Sequence, residues 1–443
     1  MRDDFRAVAD SLAADIAAGR LRPGERLPTQ RRFARDRGVA VSTASRVYGE
    51  LVRRGLAVGE VGRGTFVRVG RGEAAPVTVE PAVGRTDLES NFPVLPDQAE
   101  LLAAGLRGLL RPDALEAGLR ATPVAGTPAA RAAAAGVLAV PGWAPDPDRV
   151  LFTGSGRQGV AAAISALVPP GGRLAVEAMT YPVVRGIAAR LGVDLVPLPT
   201  DTDGLVPAAL AGCGPVQAVY LQPTLHNPLG TTMPPRRRAE LAALLDERDL
   251  PAIEDRVYAF LSPEPAPLAA VAPERTVVVD SLSKRIAPGL TVGYLVAPPH
   301  LHPRLAAALR GGGWAAPAFA VEAATRWAAD GAIAAVERAK RADAAARQEL
   351  VVDRLAGFAV EAGAGAYHCW WELPAPWRAE TFVAAAARRG IAVTPAAAFA
   401  VGTSHAPNAV RLALGSPALP ALDAALTTLA ALATGAPGDD GIE

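Results

Sequence analysis

Only two lysines, Lys284 and Lys340, occur in this chain of 443 residues; the remainder of its 45 Lys and Arg side chains are arginines. Arginine serves wherever positive charge alone is needed. It cannot readily lose its proton and attack a carbonyl to form an imine, which a lysine amine can do. Lys284 stands in Asp280-Ser281-Leu282-Ser283-Lys284, just after the apolar run Val277-Val278-Val279. That pattern reads as a buried strand delivering its last residues to a site. Lys340, in Val336-Glu337-Arg338-Ala339-Lys340-Arg341, reads as part of a solvated helix face.

A lysine that captures the aldehyde of pyridoxal phosphate needs partners of definite chemistry. A carboxylate must keep the pyridine nitrogen protonated, and Asp255 in Ile253-Glu254-Asp255-Arg256-Val257-Tyr258 is the candidate. Donors to the ring oxygen are Asn227, in His226-Asn227-Pro228-Leu229-Gly230, and Tyr258. Tyr181 offers an apolar face to the ring. A phosphate needs amide hydrogens and hydroxyls at a helix start. Ser155, Gly156 and Arg157, in Gly154-Ser155-Gly156-Arg157-Gln158, supply these, and Ser281 and Ser283 add hydroxyls near the lysine. Each piece alone has an ordinary reading as a strand end, a turn, a helix cap or core. His226 reads as a structural or supporting residue, and the five histidines show no metal-ligand spacing.

The joint order is the specific signal: a Gly/Ser loop, an aromatic, Asn-Pro-x-Gly, Asp-x-x-Tyr, then Ser-x-x-Lys. Over about residues 88–430 it resembles the class I aminotransferases of the fold-type I pyridoxal-phosphate superfamily, most strongly in Ser283-Lys284-Arg285-Ile286-Ala287-Pro288-Gly289-Leu290. The resemblance implies that Arg411, in Asn408-Ala409-Val410-Arg411-Leu412, grips a substrate or effector carboxylate as a bidentate fork. One position departs from the family. Seven residues after the lysine, where the family usually places a phosphate-binding arginine, stands Thr291. Either Arg285 or Arg157 substitutes, or the cofactor is held less tightly.

Positioning these residues falls to short apolar strands at 150–153, 174–177, 194–198, 217–221, 252–254, 276–279 and 292–296, alternating with Ala-rich helices. This alternation predicts an α/β body with a mostly parallel seven-stranded sheet. A helix over 314–355 leads to a smaller C-terminal α+β unit. The expected boundaries are a head at 1–68, a linker at 69–87, the body at 88–433 and a flexible tail at 434–443.

Charge separates head from body. Residues 1–70 carry 14 arginines against 8 acidic groups, a net of +6, and the rest of the chain nets −5. A basic head on an acidic body suggests a polyanion-binding module. Phe5, Val8, Leu12 and Ile16 recur at helical spacing, Pro28 prepares a second helix, and Ser42 reads as the N-cap of a third. Residues 56–67 read as a hairpin with a basic, Gly-rich tip. Helix, helix, recognition helix and wing make a winged helix-turn-helix. Gly24-Glu25-Arg26-Leu27-Pro28, Ser42-Thr43-Ala44-Ser45 and Gly62-Arg63-Gly64-Thr65-Phe66-Val67 resemble the GntR family of DNA-binding domains. By that resemblance Arg31, Ser42, Thr43 and Arg46 meet the major groove of double-stranded DNA, and Arg63 meets phosphate or the minor groove.

A GntR-like head on an aminotransferase-like body resembles the MocR-type transcription regulators. The resemblance implies a cytoplasmic homodimer that senses pyridoxal phosphate, an amino compound, or both, through an aldimine at Lys284. The aminotransferase site is then vestigial or partial. Two alternatives stay open: a working aminotransferase carrying a DNA-binding head, and a cofactor-free DNA-binding protein whose body only dimerises. Two cysteines, Cys213 and Cys369, argue against a disulfide framework. Neither an export signal nor an apolar run of membrane-spanning length is visible.

Overall fold

The structure is a computed structural model, and it describes residues 5–17, 20–21, 25–53, 56–60, 64–67, 85–112, 115–116, 119, 123–262, 264–402 and 406–435. The greater part of the expected linker, the wing tip at 61–63 and the tail from 436 lie outside the described residues.

In the body, seven strands form one sheet in the spatial order 150–153, 293–296, 276–281, 252–255, 218–221, 173–177 and 194–198. The strand Gly293–Val296 runs antiparallel to both of its neighbours, and every other pairing is parallel. Apolar clusters cover both faces. Val277 and Val279 enter one cluster, while Val278 between them enters another. Side chains alternate between faces along a strand, so burial on both sides demands the unbroken apolar run seen in the sequence.

The smaller unit is a five-stranded sheet in the order 359–362, 368–372, 409–413, 391–395 and 86–88. Here the expected boundaries shift. Thr86 and Asp87, read as linker, belong to the edge strand Thr86–Leu88, parallel to Ile391–Pro395. Within that strand only Leu88 is fully buried, so no apolar periodicity marks it. Thr434, read as tail, closes the last helix, Leu419–Thr434. The single helix expected over 314–355 is two, Ala318–Ala329 and Ala332–Arg354. They part at Gly331, whose φ of 79° is the left-handed conformation that glycine adopts freely.

The head folds as helices Phe5–Ala17, Gln30–Arg37 and Val41–Arg53 with a hairpin of Ala57–Glu60 and Gly64–Val67. Thr29 caps the second helix, accepting from the Arg32 amide at 3.3 Å. Ser42 is not the cap of the third. That helix has already begun at Val41, and the Ala44 amide donates to the Ala40 carbonyl. Ala44, Val47, Tyr48 and Leu51 form the buried stripe, and the Tyr48 hydroxyl donates to the Pro28 carbonyl at 2.8 Å. Leu51 is 0% exposed; Leu51→Ala is expected to destabilise the head by about 2–5 kcal/mol. Hydrogen exchange on the full chain should show faster exchange in the third helix and unchanged protection in the body sheet.

Candidate functional site

The parallel strands end at one edge, where open α/β sheets bind ligands. Residues at and beyond these ends enclose a cavity of about 260 Å³, lined by Ser155, Gly156, Arg157, Tyr181, Asn227, Asp255, Tyr258, Ser283, Lys284 and Thr291, among others. At one wall the helix Gly156–Leu167 begins, capped by Ser155, which accepts from the Gln158 amide. A side chain at Gly156 would press on Ser281 Oγ at 3.1 Å and Val257 at 3.2 Å, so glycine lets the helix start close to the lysine segment. Asp255 ends its strand, and Lys284 sits in the single turn Leu282–Arg285 that follows the strand Thr276–Ser281. Lys284 Nζ donates to the Asn91 carbonyl at 2.5 Å and lies 4.4 Å from the Phe92 ring centre.

Burial pushes the Lys284 pKa down to about 7, helped by the positive charges of Arg157, Arg411 and Lys340 and opposed by Asp255. An ordinary lysine near pH 7 is almost wholly protonated, whereas this amine has a large neutral fraction. Burial raises the Asp255 carboxyl to about 6, against hydrogen bonds from Tyr220 and the Val257 amide that favour its charged form. The Tyr220 hydroxyl donates to Asp255 Oδ2 at 2.7 Å, and Gln222 Nε2 donates to the same oxygen at 3.2 Å. Above about pH 6 the carboxylate is mostly ionised, and two donors from the neighbouring strand segment fix its orientation.

The structure brings together most of the residues singled out from sequence. Two do not line the cavity. Ser281 turns its hydroxyl to Ser283, at 2.5 Å, and caps the lysine turn. Arg411 is buried beside the cavity on the strand Ala409–Ala413, where it donates to the Glu89 carbonyl and to Thr394 Oγ1. Its charge nevertheless acts on both Lys284 and Tyr258. His226 stands outside the lining, with Nε2 3.1 Å from Glu177 Oε2. Glu177 also accepts from the Gln222 amide, which places His226 in a supporting layer behind Asp255. Phe92, Tyr220 and Gln222 were not foreseen. The latter two stand two apart at a strand end and so share a face, which is the signal available. Phe92 lies in an aperiodic stretch that carries none.

Lys340 corrects the sequence reading outright. It is fully buried, not solvated, and donates to the backbone carbonyls of Lys284 and Ile286. The two arginines offered in place of the missing phosphate ligand also separate. Arg285 is engaged by Asp280 and Glu337 and by the Val137 carbonyl. Arg157 lines the cavity and donates to the Tyr181 hydroxyl at 3.0 Å. Thr291 Oγ1, Asn227 Oδ1 and Arg411 Nε are buried without a hydrogen-bond partner. Such orphans call for an explanation. Polar atoms that await partners, around a depressed amine and a buried carboxyl, fit a small anionic ring compound with an aldehyde. Among the described residues no cluster of His, Cys, Asp and Glu could hold a metal ion, and no helix is long and apolar enough to cross a membrane.

In the head, Arg31, Ser42 and Arg46 are exposed and Thr43 is half-buried. The Arg46 guanidinium lies over the Phe5 ring at 4.0 Å, which braces it against the first helix. Arg63 lies outside the described residues.

Comparison with known proteins gives two family matches: aminotransferase class I and II over residues 86–426, and bacterial regulatory proteins of the gntR family over residues 5–67. A relative in Bacillus subtilis, the uncharacterized HTH-type transcriptional regulator YdeF, is 29% identical over 419 residues, covering 93% of this chain and 90% of its own. The HTH-type pyridoxine biosynthesis transcriptional regulator PdxR of Corynebacterium glutamicum is 30% identical over 305 residues, 67% of this chain and 66% of its own. Among solved structures, an archaeal alanine:glyoxylate aminotransferase superposes with a TM-score of 0.72 at 22% identity, covering 80% of this chain and 91% of its own, a likeness of fold.

Because capture of an aldehyde requires the neutral amine, its rate on the empty site should rise with pH through about 7 and level off above, far below the range of an ordinary lysine. Asp255→Asn removes a charge that favours the protonated amine, so the midpoint should move to lower pH. Borohydride trapping of pyridoxal phosphate at a series of pH values, with peptide mapping of Lys284, measures both.

Proposed function

We propose a ligand-sensing transcription regulator, from the premise that this chain belongs to the aminotransferase class I and II family and carries a gntR-type DNA-binding head. That family implies pyridoxal phosphate as cofactor, and the fusion is of the kind named as transcriptional regulators among its relatives. The observation that carries the sensing step is that Lys284, its amine pushed down to about 7 by burial, lines one cavity together with Asp255 in a chain that also has a winged head.

Pyridoxal phosphate supplies an aldehyde for a lysine amine and a protonated ring that withdraws electrons. In this reading Lys284 provides the nucleophilic amine, and Asp255, oriented by Tyr220 and Gln222, holds a proton on the ring nitrogen. Asn227 and Tyr258 bind the ring oxygen, and Tyr181 covers a ring face. Ser155, Gly156 and Ser283 receive the phosphate at the start of a helix. Arg157 provides the charge that Thr291 does not. Arg411, whose Nε has no partner, binds the acid group of an amino compound that competes with Lys284. Phe92, Val160, Ile187 and Val257 limit water around the amine.

The occupied and empty sites favour different arrangements of the body, and a cytoplasmic homodimer passes that difference to the spacing of two heads on DNA. A second reading, an aminotransferase that turns over with the same head attached, is favoured by the retention of Lys284, Asp255, Tyr258 and Arg411 together. Sustained keto-acid release from an amino donor would select it.

Lys284→Ala should abolish trapped cofactor and leave an operator footprint that no longer responds to pyridoxal phosphate. Absence of the Lys284 adduct in the unaltered protein, or an unchanged cofactor response in the variant, would remove the sensing reading. In the head, Arg46→Ala should weaken operator binding by about 1–3 kcal/mol, and Arg63→Ala should weaken all sequences alike and reduce the salt slope by about 1. Unchanged binding in both variants would reject these DNA contacts.

A further inference from the structure

The two lysines of the chain meet at one place. Lys340, on the helix Ala332–Arg354, is 0% exposed, and its Nζ donates to the Lys284 carbonyl at 2.9 Å and the Ile286 carbonyl at 2.6 Å. The Ile286 carbonyl also accepts from Gln98 Nε2 at 3.1 Å. The turn that carries the reactive lysine is therefore held from behind by groups distant in sequence.

The choice of residue is informative. Wherever charge alone suffices this sequence uses arginine. Lysine ends in a compact ammonium with tetrahedrally disposed donors, suited to two carbonyls two residues apart; arginine ends in a wider planar fork. Burying an amine with no acidic partner in direct contact is costly and disfavours its charged form, so a lysine here calls for a reason.

The contacts continue away from the cavity. The Tyr367 hydroxyl lies 2.9 Å from the Lys340 carbonyl and 2.8 Å from Asp343 Oδ2. Asp343 accepts from Arg347 Nε at 2.8 Å. Arg347 Nη1 donates to the Leu414 carbonyl at 2.5 Å and the Pro417 carbonyl at 2.7 Å. Leu414 directly follows the strand Ala409–Ala413 that carries Arg411. One run of polar contacts thus joins the backbone of Lys284 to the smaller unit.

We propose that Lys340 is a positioning residue for Lys284: by holding the Lys284 and Ile286 carbonyls it fixes the turn from which the reactive amine enters the cavity. This rests on the reading of Lys284 as the cofactor lysine. Lys340 does not line the cavity and acts only through Lys284.

A double-mutant cycle tests this on the full-length protein. Pyridoxal phosphate affinity is measured by equilibrium dialysis for the unaltered chain, Lys340→Met, Lys284→Ala and the double variant, with borohydride trapping for the first two. Lys340→Met should weaken capture about tenfold or more where Lys284 is present, since small misplacements of a reacting group cost that much. In the Lys284→Ala background, where binding is non-covalent, the same change should leave affinity unaltered. Equal weakening in both backgrounds would make Lys340 a general scaffold residue, and no weakening in either would make it irrelevant; each overturns the proposal. If Lys340→Met does not fold, Lys340→Ala, which likewise removes both donors, goes through the same cycle with the same deciding outcomes. No trapped adduct in the unaltered chain would instead reject the cofactor reading itself.

Discussion

The seven-stranded sheet is covered by apolar side chains on both faces, and this double burial is the constraint on which the rest depends. A strand buried on both sides carries polar groups safely only near its ends, where the chain leaves the interior. Parallel strands finish at the same edge, so the polar residues that follow them converge. Thr153, Asp255 and Ser281 end three different strands, and Gln222 directly follows a fourth. The cavity is a consequence of that convergence, and its residues come from positions more than a hundred apart in sequence.

The same burial determines how charge behaves there. Lys284 and Lys340 are both displaced downward to about 7, chiefly because the charged amine is poorly solvated. Arg285 goes the other way. Burial disfavours its charge, but Asp280 and Glu337 more than offset that and raise its pKa. A buried pair of this kind contributes little net stability, yet removing one partner costs about 3–5 kcal/mol, because an uncompensated charge remains. The Asp280–Arg285 pair spans the lysine turn, with Arg285 Nε 3.1 Å and Nη2 2.6 Å from the carboxylate. The turn is therefore pinned both by an ion pair and by Lys340.

Head and body divide labour in a way their charges reflect. An arginine-rich head suits a polyanion, and long-range attraction to DNA depends on that excess. The acidic body lacks such a surplus and instead places a few cations in or beside one cavity, Arg157 and Lys284 lining it and Arg411 close enough to act on Lys284. These suit a small ligand bearing phosphate and carboxylate groups.

What the sequence determined by itself was whatever depends on local period and local chemistry. Seven apolar runs fixed seven strands nearly to the residue, because burial on both faces leaves an unmistakable pattern. The helical spacing of Phe5, Val8, Leu12 and Ile16 identified the first head helix, because one buried face repeats with the helical period. The lysine, its aspartate and the Gly/Ser helix start could be picked out because few residue types can do their chemistry. Tertiary structure decided what sequence spacing cannot encode. Lys340 looks like any solvated helical cation until Lys284 is folded against it, and Arg285 looks like a phosphate ligand until Asp280 and Glu337 close on it. Thr86 and Asp87 join a sheet whose other strands lie some three hundred residues away. In each case the deciding interaction is a hydrogen bond or ion pair across a long loop, and such a contact leaves no periodic trace in the chain that makes it.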